Sequence, residues 1–596
     1  MDRNTILFIV LTAAVLIGWD LLVIAPQREA LREQQRVEQA ARDAAGPTVA
    51  GDIAGAAAEK SLSIEEALAK SPGRVKIETP SLTGSINLAG GRIDDLLLKN
   101  YRETLDERSP MIRLLTPSEA AHGHYIEQGF VAASGNTTQL TESLTWSATA
   151  GAKLTPETPV TLTARIGALA FEKTYSVDKV FMFTVKQVVR NEGVEPARVT
   201  PYGLVVQRNI PDGAGKFQIL HEGPLAVVDK QLLERKYKNA VKKTDEAAGI
   251  GGWVGITNKY WLAAAAPPQN EPFTATLKNV GTATAPIFRA NYTLAERTIA
   301  PGQTMELTSH LFGGAKDVDI LRDYEQSPEN GGLGIKDLDK GVDWGNFFFL
   351  TRPIFWLLDF FGDHVHNWGV AILLLTLVVK ALMFPLANKA FESMSAMKKV
   401  QPKLEELKTK FGDDKMKLQQ EMMELYKREK INPLAGCLPI LIQMPIFYAL
   451  YKTLFVTIEL RHQPFFGWIK DLSAPDPTSV FNLFGLLPYE PTAVPLIGAF
   501  LGIGVLPLLM GVAMWFQTKL NPPATDPIQQ QVLAMMPIIF VFLFASFSAG
   551  LVLYWVWSTV LSILQQWLIM KRNGVAVDWG ARLPFLKGKK PALEKK

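Results

Sequence analysis

Apolar and polar positions follow different rhythms in three parts of the chain, and each rhythm predicts its own kind of structure. Residues 5–24, "TILFIVLTAAVLIGWDLLVI", are apolar almost throughout, and a spanning helix needs about 20 such residues. The run exceeds the roughly 7–15-residue core of a signal peptide and leads directly into Arg/Glu-rich sequence. An uncleaved anchor over 1–25 is therefore expected, with a cleaved signal as its rival. Mixed charge at helical spacing, then Ala/Gly-rich sequence, predicts a helix and flexible linker over 26–74.

From 75 to about 314, runs such as "PVTLTARIG", "FMFTVKQVVRNEG" and "TMELTSHLFGG" alternate with period two and break at Gly, Pro and Asn. Such alternation predicts antiparallel strands, and its extent predicts a large β-sandwich domain over 75–320. A helical insertion is expected at about 229–243. Residues 344–368 are dense in aromatics but carry Arg352, Asp359 and Asp363, the composition of an amphipathic helix at a membrane–water boundary. A linker and this helix fill 321–366; a buried soluble helix is the alternative.

Four more apolar runs, at 368–387, 433–458, 492–518 and 532–570, predict a helical core over 367–570. As one helix the last would measure about 58 Å, nearly twice the hydrocarbon thickness. "SFSAGL" at 546–551 supplies small residues in its middle, so two short spans joined by a hairpin turn are expected. Residues 388–432 hold 11 Lys/Arg against 8 Asp/Glu, and 571–596 hold 8 against 2. Positive-inside logic makes both cytoplasmic. That gives six transmembrane helices with both termini inside and the β domain outside, although four arginines just after the anchor run against it.

The loop at 388–432 is itself patterned. Met397, Val400, Leu404, Leu407 and Phe411 are spaced 3, 4, 3, 4, and Leu418, Met422 and Leu425 resume the spacing. A helical hairpin follows, bent near Pro402 and turned at "FGDD", where Asp413 or Asp414 caps the second arm. It serves either as a docking post, with Met397, Lys398, Lys399, Asp413 and Asp414 as candidate contacts, or as a plain link between spans.

Composition narrows the chemistry. A net charge of +4 over 596 residues argues against broad nucleic-acid binding, and the single Cys437 excludes a disulfide within the chain. No P-loop, GxSxG or HExxH pattern occurs. His122/His124 and His364/His366 lack acidic or thiol partners at ligand spacing and are expected on the surface. No enzyme activity, metal or cofactor is expected. The five C-terminal spans hold no Asp or Glu away from their ends, which weighs against ion-coupled transport. Lys380, in "AILLLTLVVKALMFPLA" at 371–387, is expected to be the only charge deep in that core. Thr376 shares its helix face, and Gln443, Tyr554 and Ser558 are among the uncharged polar groups. The lysine either snorkels to the cytoplasmic surface or faces a water-filled space between helices.

The stretches "NWGVAILLLTLVVKALMFPL", "INPLAGCLPILIQMPIFYALY", "DLSAPDP" and "SAGLVLYWVWSTVLSILQQ" resemble the long, Gram-negative form of the YidC insertase family. The likeness is close over 367–572 and looser over the anchor and β domain, where "GWVGITNKYW" is clearest. It implies a multi-pass α-helical inner-membrane protein that inserts and helps fold membrane proteins, alone or with the Sec translocon. In that family a hydrophilic groove, open to cytoplasm and lipid, receives polar parts of the substrate. Carried over by position, Lys380 would be the groove cation, with Thr376 one turn away and Gln443 and Ser558 among the groove's polar groups. Tyr554 and Trp555 would line the slide for the substrate's apolar span.

Three departures accompany the likeness. Lysine stands where arginine is usual, keeping the charge and losing the planar fork. Trp555 stands where tyrosine is common, and the sequence at 484–505 is longer than in better-known members. The resemblance further implies nascent membrane proteins and the lipid bilayer as partners. It adds the Sec translocon, the ribosome and the signal recognition machinery, and is compatible with a monomer. The basic tail, 571–596, would lie in the cytoplasm. Readings from other classes are a small-solute transporter with Lys380 as its binding cation and a cell-envelope enzyme acting through the β domain.

Overall fold

The computed structural model describes residues 61–574 apart from 72, 135–136, 215–219, 242, 413, 430–437, 486, 488–490, 492–493, 495–497 and 522–526. The anchor, the linker up to 60, Asp413 and the tail beyond 574 lie outside the described residues.

Among the described residues, period-two alternation becomes two sheets, one of 12 strands and one of nine, almost wholly antiparallel. In the strand Leu169–Val177, positions 169, 171, 173, 175 and 177 point inward. It pairs with Met182–Asn191 in unbroken register from Leu169↔Asn191 to Val177↔Phe183. Phe171 meets Phe130 of the other sheet at 5.7 Å between ring centres, so the sheets close over one core as a sandwich. The inward Lys173 is accommodated by a 2.5 Å hydrogen bond to the Gln128 carbonyl and by the Trp146 ring 4.3 Å away.

Two expectations for this domain are corrected. The charged stretch at 229–243 is not a helical insertion. Asp229 and Lys230 take φ of 46° and 66°, closing a two-residue hairpin between Gly223–Val228 and Gln231–Glu234. Only the single turn Tyr237–Ala240 is helical. Nor is His124 a surface residue: it is buried, with Nδ1 2.7 Å from the Val206 carbonyl, and burial lowers its pKa to about 4.

Helix α1, Phe348–Val365, buries Phe355 and Leu358 while exposing Phe348, Phe349, Trp356 and Phe360, as an amphipathic helix should. Helix α2, Trp368–Lys399, starts at Asn367, whose side-chain oxygen accepts from the Val370 amide. It continues through Pro385 to Lys399, so Met397, Lys398 and Lys399 form its last turn rather than the start of the hairpin. The hairpin is α3, Gln401–Phe411, with Pro402 in its first turn, and α4, Lys415–Arg428, capped by Asp414. Val400, Leu404, Leu425 and Tyr426 make its seam, and Lys403 clamps Glu429 at 2.6 Å.

The core continues with α5, Leu438–Val456; α6, Val505–Leu520; α7, Pro527–Phe544; and α8, Ala549–Arg572. The break between α7 and α8 falls in the small-residue stretch, as predicted. The run at 492–518 is not one helix: a turn, Gly498–Leu501, is separated from α6. The cause lies in the preceding loop. Asp476 Oδ2 accepts from the Leu506 amide at 2.8 Å and Thr478 Oγ1 from the Val505 amide at 3.0 Å, so α6 begins where these caps hold it. Asp476→Ala is expected to lower stability in detergent by about 0.5–2 kcal/mol, and Asp476→Asn by much less, because its amide oxygen still accepts. Thermal unfolding of both variants checks this.

Among the described residues, two helices are long and apolar enough to cross a membrane, Trp368–Lys399 and Ala549–Arg572.

Candidate functional site

Helices α2, α5 and α8 bring together most of the polar residues singled out in the core. Lys380 is half-buried, and its amine donates to Ser562 Oγ at 2.8 Å across the α2–α8 contact. Ser562 in turn donates to the Ser558 carbonyl one turn earlier in α8, at 2.9 Å. Gln443 of α5 donates to the Tyr554 hydroxyl at 3.4 Å. Tyr554, Ser558, Ser562 and Gln566 recur every fourth residue, so they form a polar stripe along one side of α8. Gln566 closes it with a 3.1 Å bond to Asn521. Among the described residues, Lys380 forms no ion pair. A half-buried ammonium whose protein partner is one hydroxyl keeps most of its hydrogen-bonding capacity for water or a substrate.

Not every candidate belongs to that line. Thr376 does share a helix face with Lys380, but it is buried, and its hydroxyl donates to the Ile372 carbonyl at 2.6 Å. Its role in the structure is packing at the helix contact. Trp555 turns away from the stripe into an aromatic group, 4.4 Å from Phe447, 4.8 Å from Phe544 and 6.0 Å from Phe540 between ring centres. In the hairpin segment Lys398 is engaged internally, donating to the Leu520 carbonyl at 3.0 Å, whereas Lys399 and Asp414 are exposed. Met397 is half-buried.

Two participants escaped the sequence reading. Ser562 is one; its signal was the four-residue spacing from Ser558. The other is Lys452, near the C-terminal end of α5. It is buried and pairs with Asp343 at 2.5 Å, so Lys380 is not the only charge within the helical core. Asp343 Oδ2 also accepts from the His221 amide of the β domain at 2.6 Å. The pair therefore ties α5 to the segment entering α1 and to the sandwich.

A second acid, half-buried and with a buried carboxylate oxygen, lies at the same junction. Glu459 lies three residues beyond α5; its Oε1 accepts a long, 3.4 Å contact from the Val318 amide, and among the described residues its Oε2 has no partner. Burial, then the carboxylates of Asp317 and Asp359, pushes its pKa up to about 8. Its folded pKa lies above the unfolded value of about 4.3. Its contribution is thus complete below the unfolded pKa and is lost progressively as pH rises towards the folded one. Glu459→Gln is expected to match the parent in melting temperature near the unfolded pKa. It should then exceed the parent by a margin that grows with pH and levels off past the folded pKa.

These features define a class: a protein with a large β-rich domain and an apolar helical core in which a lysine, without an ion pair among the described residues, lies along a polar stripe. Residues 360–575 match the family described as 60Kd inner membrane protein, and 74–357 match the YidC periplasmic domain. A "Membrane protein insertase YidC" from Beijerinckia indica is 49% identical, with 97% of each chain covered. One from Rhizobium johnstonii is 46% identical, covering 100% of this chain and 99% of that one. A solved active YidC insertase is 19% identical, covers 83% of this chain and 92% of its own, and superposes with a TM-score of 0.36. The chain belongs to the YidC family of membrane protein insertases. This is a bacterial inner-membrane family with a periplasmic β-rich domain, and it is not a family of enzymes.

Proposed function

We propose that the chain inserts membrane proteins by offering their polar segments the line of groups around Lys380 while their apolar spans pass into lipid. The observation that carries this is the Lys380 amine, half-buried in an apolar helical core and bonded to one hydroxyl. Placing an unsatisfied polar group in hydrocarbon costs several kcal/mol. A cation and the side chains of Gln443, Ser558 and Ser562 lower that cost by holding water or bonding the segment directly. The gain on burying the substrate's apolar span then drives the process without nucleotide. In this reading α2, α5, α6, α7 and α8 span the membrane, with the anchor as a sixth span. Residues 75–320 lie in the periplasm, α1 rests on the outer surface, and the hairpin and C-terminal tail face the cytoplasm. Nascent membrane proteins are the substrates; the Sec translocon, the ribosome and the signal recognition machinery are its proposed partners.

The structure moves the test away from the buried Thr376. A photo-crosslinker at Ser562 or Gln443 is expected to capture a nascent membrane protein during its insertion. Capture of lipid alone at both positions would refute the role of the polar line. The transporter reading has no support beyond the charge of Lys380.

A further inference from the structure

The outer segment between α5 and α6 ends in an apolar tip that the insertion site does not use. Leu483 and Phe484 both take left-handed backbone conformations, with φ of 52° and 58°. Such conformations are unfavourable for bulky side chains. The strain does not serve burial: Leu483 and Phe484 are each 53% exposed and Phe481 is 48% exposed. The base of the segment, by contrast, is firmly tied. Ser479 donates to the Leu501 carbonyl at 2.6 Å, the Val480 amide to Ile503 at 3.0 Å, and the Phe484 amide to Ser479 at 2.7 Å. A rigid base therefore holds large apolar side chains outward.

Three observations say what those side chains meet. The first is depth. Helix α6 has 16 residues, about 24 Å of helix against a hydrocarbon core of about 30 Å. With Lys519 at the cytoplasmic surface, the start of α6 lies inside the outer leaflet, and the tip that precedes it lies at the leaflet's boundary. The caps from Asp476 and Thr478 fit this depth, since they satisfy amides that water would not reach. The second is side: Arg461, in the same outer segment, donates to the Arg102 carbonyl of the β domain at 2.5 Å. The third is charge. Between Ala474 and Gln517 the only ionisable acids or bases are Asp476, which is used as a cap, Glu490 and Tyr489. A protein-docking patch would be rimmed by charge, whereas aromatic and aliphatic groups without charge suit the bilayer interface. Leu509 and Val512 on α6, the helix that follows, are exposed apolar side chains as well.

We infer that Val480–Gly485 is a lipid anchor that inserts Phe481, Leu483 and Phe484 into the outer-leaflet interface, fixing the outer ends of α5 and α6 beside the insertion path. The inference rests on the proposed membrane placement of the core, and the test separates the two. Phe484→Cys is made in a Cys437→Ser background, labelled with an environment-sensitive NBD fluorophore and reconstituted as the full chain in phosphatidylcholine vesicles. Val512→Cys reports lipid contact on α6 and Val194→Cys, on an exposed β-domain turn, reports water. The Phe484 label is expected to be quenched more by phosphatidylcholine doxyl-labelled near the headgroup than by lipid labelled at the bilayer centre. It should also resist iodide that quenches the Val194 label. Quenching by iodide to the Val194 level, or shielding from both quenchers, overturns the anchor while a lipid-quenched Val512 leaves the core placement standing. Loss of lipid quenching at Val512 as well overturns both. Phe481→Cys, outside the left-handed pair, repeats the measurement without disturbing that turn.

Discussion

Lys452→Met is expected to destabilise the junction between the helical core and the β domain by about 3–5 kcal/mol, the usual cost of stranding one member of a buried ion pair. The pair is deeply buried, with side-chain exposures of 1% for Lys452 and 10% for Asp343. Removing the ammonium leaves Asp343 with the His221 amide and its own local turn as partners. Methionine nearly preserves the volume, so the effect reports charge rather than a cavity. The double variant Lys452→Met/Asp343→Leu removes both charges and is expected to recover most of the loss. Limited proteolysis in detergent provides the readout. The single variant should be cut between 316 and 347 much faster than the parent, and the double variant should approach the parent again. Equal cutting of parent and single variant would show that the pair does not hold the junction.

The two sheets were readable from sequence because each strand repeats one local rule, burial of alternate side chains, and Leu169–Val177 obeys it at every step. The helical hairpin was readable for the same reason, at helical spacing. What the sequence concealed depends on distant partners. The charges of 229–243 suggested a helix, but Asp229 and Lys230 instead close a hairpin whose strands pair with the sheet. The run at 492–518 looked continuous because apolar composition carries no mark of the point where Asp476 caps α6. Lys452 escaped notice because its partner Asp343 is distant in the chain and only the fold brings the two together. At the candidate site Lys380 announced itself as a charge in an apolar run, and the spacing of Tyr554 and Ser558 was visible. That Thr376 packs inward while Ser562 receives the ammonium depends on how α2 is rotated against α8, which periodicity does not specify.

Replacing Lys380 is expected to have the larger effect on activity. Lys380→Met should reduce insertion of a substrate with a charged translocated tail by about tenfold, a loss of about 1.4 kcal/mol. A substrate whose short tail is uncharged should be affected far less, because its passage needs less polar compensation. Lys380→Arg is expected to stay close to the parent: arginine keeps the positive charge, and the single hydroxyl contact with Ser562 requires no particular fork geometry. Protease protection of substrates in proteoliposomes measures all three variants. Because Lys380 bonds a single half-buried hydroxyl and forms no ion pair among the described residues, its loss should leave the melting temperature nearly unchanged. That separates it from Lys452, whose loss acts through stability. If the methionine variant inserted both substrates at the parent rate, positive charge at this position would have no part in insertion. If instead arginine failed along with methionine, positive charge alone would not suffice, and the requirement would be for the compact ammonium beside Ser562, because methionine keeps a slender stem of similar volume.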